Sequence, residues 1–258
     1  MNLSLYLDNG TWIHRLDART KILWLLGLFA LSLMFSDPSF LLVMMGLVLG
    51  TTIMAKSLAN VKRILVLLVL LFVYSLILWP FFVEGKTPLF EIGSQIITVE
   101  GVLYGLGMGL RLNVMLLSGI LMLSTTAIEE FTQGLHGLGV PHALAFALSL
   151  AFRWVPTLLG SVSAVVQAQR ARGLDLPSGT IFSKLRQYPP LVVPLIGHTL
   201  RQTNLLAMAL ESKGFGPGRP RRSLFESHLN GVDYLVLGIM IGLVSGSIWM
   251  RLNGYGTI

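Results

Sequence analysis

Cysteine is missing from all 258 residues, which excludes disulfides and thiolate metal sites. Charge is scarce too. Asp, Glu, Lys and Arg make up 12% of the chain, against roughly 25% in a soluble domain. The acidic residues are few and scattered. The five histidines, His14, His136, His142, His198 and His228, include no pair at metal-ligand spacing on one helix. There is no Walker A loop, no His-Glu-x-x-His and no Gly-x-Ser-x-Gly. No catalytic residue and no metal ligand is therefore nominated. Nor is there an aromatic-plus-basic ribbon of the kind that binds single strands, so no nucleic-acid partner is expected.

What the chain has is apolar surface. It is 53% hydrophobic with a formal net charge of +7. That balance predicts an all-α integral membrane protein whose basic surplus lies in cytoplasmic loops. Asp8 and Asp17 stand where a secretion signal is basic or apolar, so the first apolar run is expected to stay in the mature protein.

Apolar runs at 22–35 and 40–54 are separated by the turn residues Ser36-Asp37-Pro38-Ser39, which predict a helical hairpin. Both are short for membrane helices, which need roughly 20 residues. A basic loop with Lys56, Lys62 and Arg63 follows, then an uncharged span at 64–83. Residues 84–100 read as an acidic-leaning loop. The span 101–128 carries Gly101, Gly105 and Gly109 on one face, a packing surface. Its one charge, Arg111, is assigned a structural role. Glu129 and Glu130 suit a helix start. Runs at 143–166 and 191–210 are long enough to cross, and a last span covers 232–250.

Orientation follows from charge. With the N-terminus in the cytoplasm, the basic loop is inside and the acidic loop outside. Residues 129–222 hold ten Lys and Arg against four acidic residues. Keeping all of them inside means that neither run at 143–166 and 191–210 crosses fully; both lie at the membrane surface or against the cytoplasmic ends of the bundle. The expected architecture is five transmembrane helices with a cytoplasmic helical insert before the last: 1–128, 129–222 and 223–258, the C-terminus outside.

The insert contains a repeated ending. One apolar segment closes in Arg170-Ala171-Arg172-Gly173, and 41 positions after Arg172 another closes in Glu211-Ser212-Lys213-Gly214. Two readings fit. Glycine past a helix with a cation in the last turn is ordinary C-capping. Alternatively, a cationic helix end at the membrane surface docks into an acidic groove of a soluble partner, for which arginine offers a planar fork.

At these residues the chain resembles the transmembrane T component of energy-coupling factor (ECF) transporters, the family that includes the cobalt and biotin permease subunits. The resemblance rests on Leu16-Asp17-Ala18-Arg19-Thr20-Lys21 before the first span, on Arg153-Trp154-Val155-Pro156, on Ala168-Gln169-Arg170-Ala171-Arg172-Gly173, and on Ala209-Leu210-Glu211-Ser212-Lys213-Gly214-Phe215-Gly216. Lys213 stands where the family usually has arginine. The resemblance implies a non-catalytic scaffold in a bacterial or archaeal cytoplasmic membrane. Two cytoplasmic ATPases, or a homodimer, would bind ATP and magnesium, and a small membrane S component would capture a vitamin, a precursor, or a cobalt or nickel ion. Arg172 would dock one ATPase and Lys213 the other. Ala171, Gly173, Ser212 and Gly214 would allow close approach, with Arg153, Pro156, Arg170 and Glu211 in support. An autonomous carrier or channel is the alternative, and needs polar groups along a mid-membrane path. A membrane-bound enzyme fits least.

Overall fold

The structure, a computed structural model, describes residues 6, 9–83, 85, 87–92, 95–173, 189–215 and 229–253. Among the described residues eight helices follow in order. They are α1 (Ala18–Met34), α2 (Pro38–Met54), α3 (Leu58–Leu78), α4 (Val99–Thr125), α5 (Ile128–Gly137), α6 (His142–Ala171), α7 (Pro189–Ser212) and α8 (Gly231–Leu252). A hairpin of β1 (Pro88–Ile92) and β2 (Gln95–Thr98) precedes α4, pairing Pro88 with Thr98 and Ile92 with Gln95. The chain divides into two compact units, one of Met1–Ala145 with Ser227–Ile258 and one of Phe146–Glu226.

The first unit is built around α4. Leu28 of α1, Val48 of α2, Leu68 of α3, and Val114 and Leu117 of α4 form its main apolar cluster. The glycine face of α4 lets other backbones approach. A Cβ on Gly101 would lie 3.2 Å from Pro80 Cα, one on Gly105 3.2 Å from the Ser75 carbonyl, and one on Gly109 2.9 Å from the Phe72 ring. These three glycines seat α3 and the 3-10 turn Trp79–Phe81, as the four-residue spacing predicts. Ser75 adds a bond from its hydroxyl to the Gly105 carbonyl at 3.0 Å. Gly107 faces the other way, where a Cβ would come 2.6 Å from the carbonyl of Ser36.

That carbonyl belongs to the turn between α1 and α2, which Arg111 ties down. Its guanidinium donates to the carbonyls of Ser32 at 2.9 Å and Phe35 at 2.6 Å. A cation thus closes the C-terminal end of α1, and the structural assignment of Arg111 holds. Asp37 starts α2, accepting from the Ser39 hydroxyl at 2.7 Å and the Ser39 amide at 3.0 Å. The hydroxyl bond, then the amide bond, hold its carboxyl below the usual carboxylate range. α1 and α2 both pack on α4 more than on each other.

Several expectations are corrected. Lys62 and Arg63 lie in the opening turns of α3, not in a loop. The segment expected to be an acidic-leaning loop contains the β1–β2 hairpin, since Ile-Ile-Thr is β-branched and favours extended backbone. Its Glu84 and Lys86 lie outside the described residues. The expected span at 101–128 ends at Thr125, and α5 begins at Ile128 with Glu129 and Glu130 in its first turn. By length and composition, Leu58–Phe81, Val99–Thr125, His142–Ala171 and Gly231–Leu252 suffice to cross a membrane. α1 and α2, at 17 residues each, reach only about 26 Å of the roughly 30 Å hydrocarbon core. α6 has spanning length, as the run at 143–166 indicates.

The glycine contacts set a differential test. Gly107→Ala drives a methyl into a backbone carbonyl and should destabilise by about 1–3 kcal/mol. Gly119→Ala, where nothing lies within 4 Å, should be neutral or stabilise by up to about 1 kcal/mol. Thermal unfolding in detergent separates the two.

Candidate functional site

The repeated ending lies in the second unit. α6 runs unbroken through Ala171 despite Pro156 in its interior. The proline ring removes one rung of the ladder and crowds the carbonyl of Phe152. Past the helix, the amide of Arg172 donates to Gln169 O at 3.1 Å and that of Gly173 to Arg170 O at 2.9 Å. Gly173 has φ +88°, a left-handed conformation that glycine adopts without strain.

α7 begins with Pro189-Pro190, where missing amides cost nothing, and holds Pro194 inside. It ends in a Schellman motif. The amide of Phe215 donates to Leu210 O at 2.8 Å, that of Gly214 to Glu211 O at 2.9 Å, and Gly214 has φ +78°. The capping reading is therefore realised at both ends. It engages only the backbone. Arg170, Ala171, Arg172 and Gly173 are exposed, as are Glu211, Ser212, Lys213 and Gly214. Among the described residues neither Arg172 nor Lys213 forms an ion pair.

Two contacts orient the helices. Gln169 Nε2 donates to Pro190 O at 3.0 Å, joining the end of α6 to the start of α7. The rings of Phe146 and Phe215 meet at 4.6 Å, joining the start of α6 region to the end of α7. The pair is antiparallel, so its two cationic tips point in opposite directions. The 23 residues from Phe146 to Gln169 put them about 35 Å apart at 1.5 Å per residue. Arg153 and Pro156 lie within α6, about 10 and 15 Å along the helix from Phe146 at the Lys213 tip and farther from Arg172. The basic residues Lys184, Arg186, Arg219, Arg221 and Arg222, and Gly216 and His228, lie outside the described residues.

One constellation was not read from the sequence. At one end of the first unit, Asp233 is wholly buried. Its Oδ1 accepts from the Asp17 amide at 3.0 Å and its Oδ2 from the Asn230 amide at 2.8 Å. Lys21, also buried, donates to His14 O at 2.9 Å and Thr125 O at 2.8 Å, with Glu130 at 4.0 Å. The opening Leu-Asp-Ala-Arg-Thr-Lys segment thus anchors the entry of α1 to the end of α4 and the start of α8. Asn230 and Asp233 form a capping box, the one local signal that marked Asp233. The rings of His136 and His142 meet edge to face at 5.3 Å. Among the described residues no group of three or more His, Asp or Glu is placed to hold a metal.

An all-helical core with several membrane-length helices, joined to an exposed pair of glycine-capped helices, defines a multi-pass membrane protein. A family profile described as CbiQ, cobalt transport protein, matches residues 9–224. A protein of Thermosediminibacter oceani named energy-coupling factor transporter transmembrane protein EcfT is 32% identical over 95% of this chain and 96% of its own length. Proteins of the same name from Listeria innocua and Brevibacillus brevis are 29% and 27% identical, covering 97% and 95% of this chain and 98% and 96% of their own lengths. The chain belongs to the CbiQ/EcfT family, the transmembrane components of energy-coupling factor transporters.

Two outcomes follow from the geometry. Asp233→Ala removes the acceptor of the buried Asp17 amide and of the amide of Asn230, an exposed residue, and should cost about 1–3 kcal/mol of unfolding free energy, read by thermal melting. Gly214→Ala forces a side chain into a left-handed conformation and should cost about 1–2 kcal/mol locally, read as faster hydrogen exchange of the Gly214 and Phe215 amides with global melting preserved.

Proposed function

We infer that this chain is the scaffold and energy-coupling subunit of an ECF-type importer. It passes ATP-driven motion of two cytoplasmic ATPases to a substrate-binding membrane subunit that takes up a vitamin or a transition-metal ion. One observation carries the reading: two exposed cations, each just past a helix and followed by a left-handed glycine, sit at opposite tips of one antiparallel helix pair. Arg172 engages one ATPase and Lys213 the other. Ala171, Gly173, Ser212 and Gly214 keep the approach open, and Arg170 and Glu211 set the local charge. Residues 129–222 form the cytoplasmic coupling segment, and 1–128 with 223–258 the membrane portion. The N-terminus is cytoplasmic and the C-terminus external.

ATP and magnesium belong to the partner ATPases, and this chain performs no catalysis. An autonomous carrier finds little support. Arg111, the one charge within α4's apolar stretch, has its guanidinium engaged by the carbonyls that end α1.

The test is a pull-down of the ATPases on the tagged chain in detergent. Arg172→Glu and Lys213→Glu should each weaken recovery by about tenfold or more, and together abolish it. Lys213→Arg should retain or tighten binding, because the fork suits a carboxylate better than a point charge. Recovery unchanged by the double reversal would overturn the coupling role.

A further inference from the structure

Two cavities in the first unit share a wall. One is an apolar groove of about 200 Å³ between α1, the end of α4 and the start of α8. Its lining extends from Ser118 to Thr125 on α4 and from Val232 to Ile239 on α8, about 10 Å or two helical turns. Trp12, Leu235 and Ile239 at its rim are about half exposed or more, at 46%, 61% and 49%. The groove therefore opens on the outside of the bundle, where a membrane presents lipid chains, and Trp12 is an aromatic of the type that sits at headgroup level.

The other cavity, also about 200 Å³, is polar. Around it stand His14, Arg15, Asp17, Glu130 and Gln133. Leu16 lines both cavities. Arg15 and Glu130 are exposed, whereas Asp17 is buried and caps α1 through the Arg19 amide at 2.8 Å. An apolar groove and a polar cavity on either side of one leucine match an amphiphile. The polar cavity also selects among headgroups. Arg15 offers a fork for a phosphate, and Glu130, half exposed and only 4.0 Å from the Lys21 ammonium through one oxygen, keeps carboxylate lone pairs for a second ammonium. The carboxylates of Asp17 and Glu130 together disfavour a second negative charge.

We propose that the two cavities bind one zwitterionic aminophospholipid, with an acyl chain in the groove, the phosphate at Arg15 and the primary ammonium at Glu130. A choline headgroup has no N–H to donate, and a glycerol headgroup brings no positive charge. The site flanks the buried contacts of Lys21 and Asp233, so the lipid reinforces the junction of the first and last helices. A ligand held only by the folded state raises its stability by mass action.

The experiment is native mass spectrometry of the full chain, exchanged in detergent against vesicles of equimolar phosphatidylethanolamine, phosphatidylglycerol and phosphatidylcholine. One phosphatidylethanolamine per chain should be retained, preferred about tenfold over the other two, and its addition should raise the melting temperature. Val236→Trp, which fills the groove, should remove the adduct. Glu130→Gln should keep an adduct but erase the preference, and Arg15→Gln should lower retention of all three lipids. If Val236→Trp does not fold, the two headgroup variants decide. The proposal is overturned by a wild-type chain that retains no lipid, by equal retention of the three lipids, or by headgroup variants that behave as wild type. It is overturned as well if Val236→Trp keeps its adduct, or if the lipid is displaced in the assembled transporter, which would make the groove a protein interface.

Discussion

Buried backbone groups that have lost their helical partners must find others, and at one end of this bundle a lysine and an aspartate supply them. Lys21 takes the carbonyls of His14 and Thr125, and Asp233 takes the amides of Asp17 and Asn230. Asp17 and Asn230 stand at the starts of α1 and α8, Thr125 at the end of α4, and His14 in the turn before α1. Left unpaired in an apolar setting, each costs free energy comparable to a lost hydrogen bond. Asp17 and Asp233 are 216 positions apart. The bond between them fixes where the last helix begins relative to the first, and the Lys21 bond to Thr125 fixes where α4 ends. The positions of the first and last helices both follow from this small set of contacts.

The two units differ in how closely their helices pack. In the first, glycines on α4 let neighbouring backbones approach to ordinary van der Waals distance, and five apolar side chains from four helices meet at one cluster. In the second, most side chains of α6 and α7 are exposed. Phe152, Val155, Leu159, Ile196, Leu200 and Met208 stand between 41% and 59% open. The first unit exposes apolar side chains as well, with Val66 77% and Leu235 61% open, and helices of membrane-spanning length and composition present such faces to lipid.

Much of the fold was legible because it rests on composition and local spacing. Apolar runs announced the helices, Asp37-Pro38 announced the start of α2, and the four-residue glycine spacing announced the packing face of α4. The glycine-capped tips were legible too, since a left-handed glycine after a helix leaves a mark in sequence. The hairpin at β1 and β2 was missed although the sequence carries a two-residue Gly93-Ser94 turn signal, because strands of five and four residues show too little alternation to stand out. Asp233 was missed for a different reason. Its meaning comes from Asp17 at the far end of the chain, and no local pattern reports a contact of that separation. The antiparallel arrangement of α6 and α7 likewise depended on Gln169 finding Pro190 and Phe146 finding Phe215.

That arrangement has a geometrical consequence. Two helices lying antiparallel are related by a local dyad perpendicular to their axes, even when their sequences differ. A single polypeptide thereby imitates the symmetry of a dimer, with a glycine-capped cationic end at each tip. The imitation is imperfect, with two arginines near one end and a glutamate beside a lysine near the other. A partner of two identical halves would meet unequal surfaces, and the assembly would carry a built-in polarity from the first encounter.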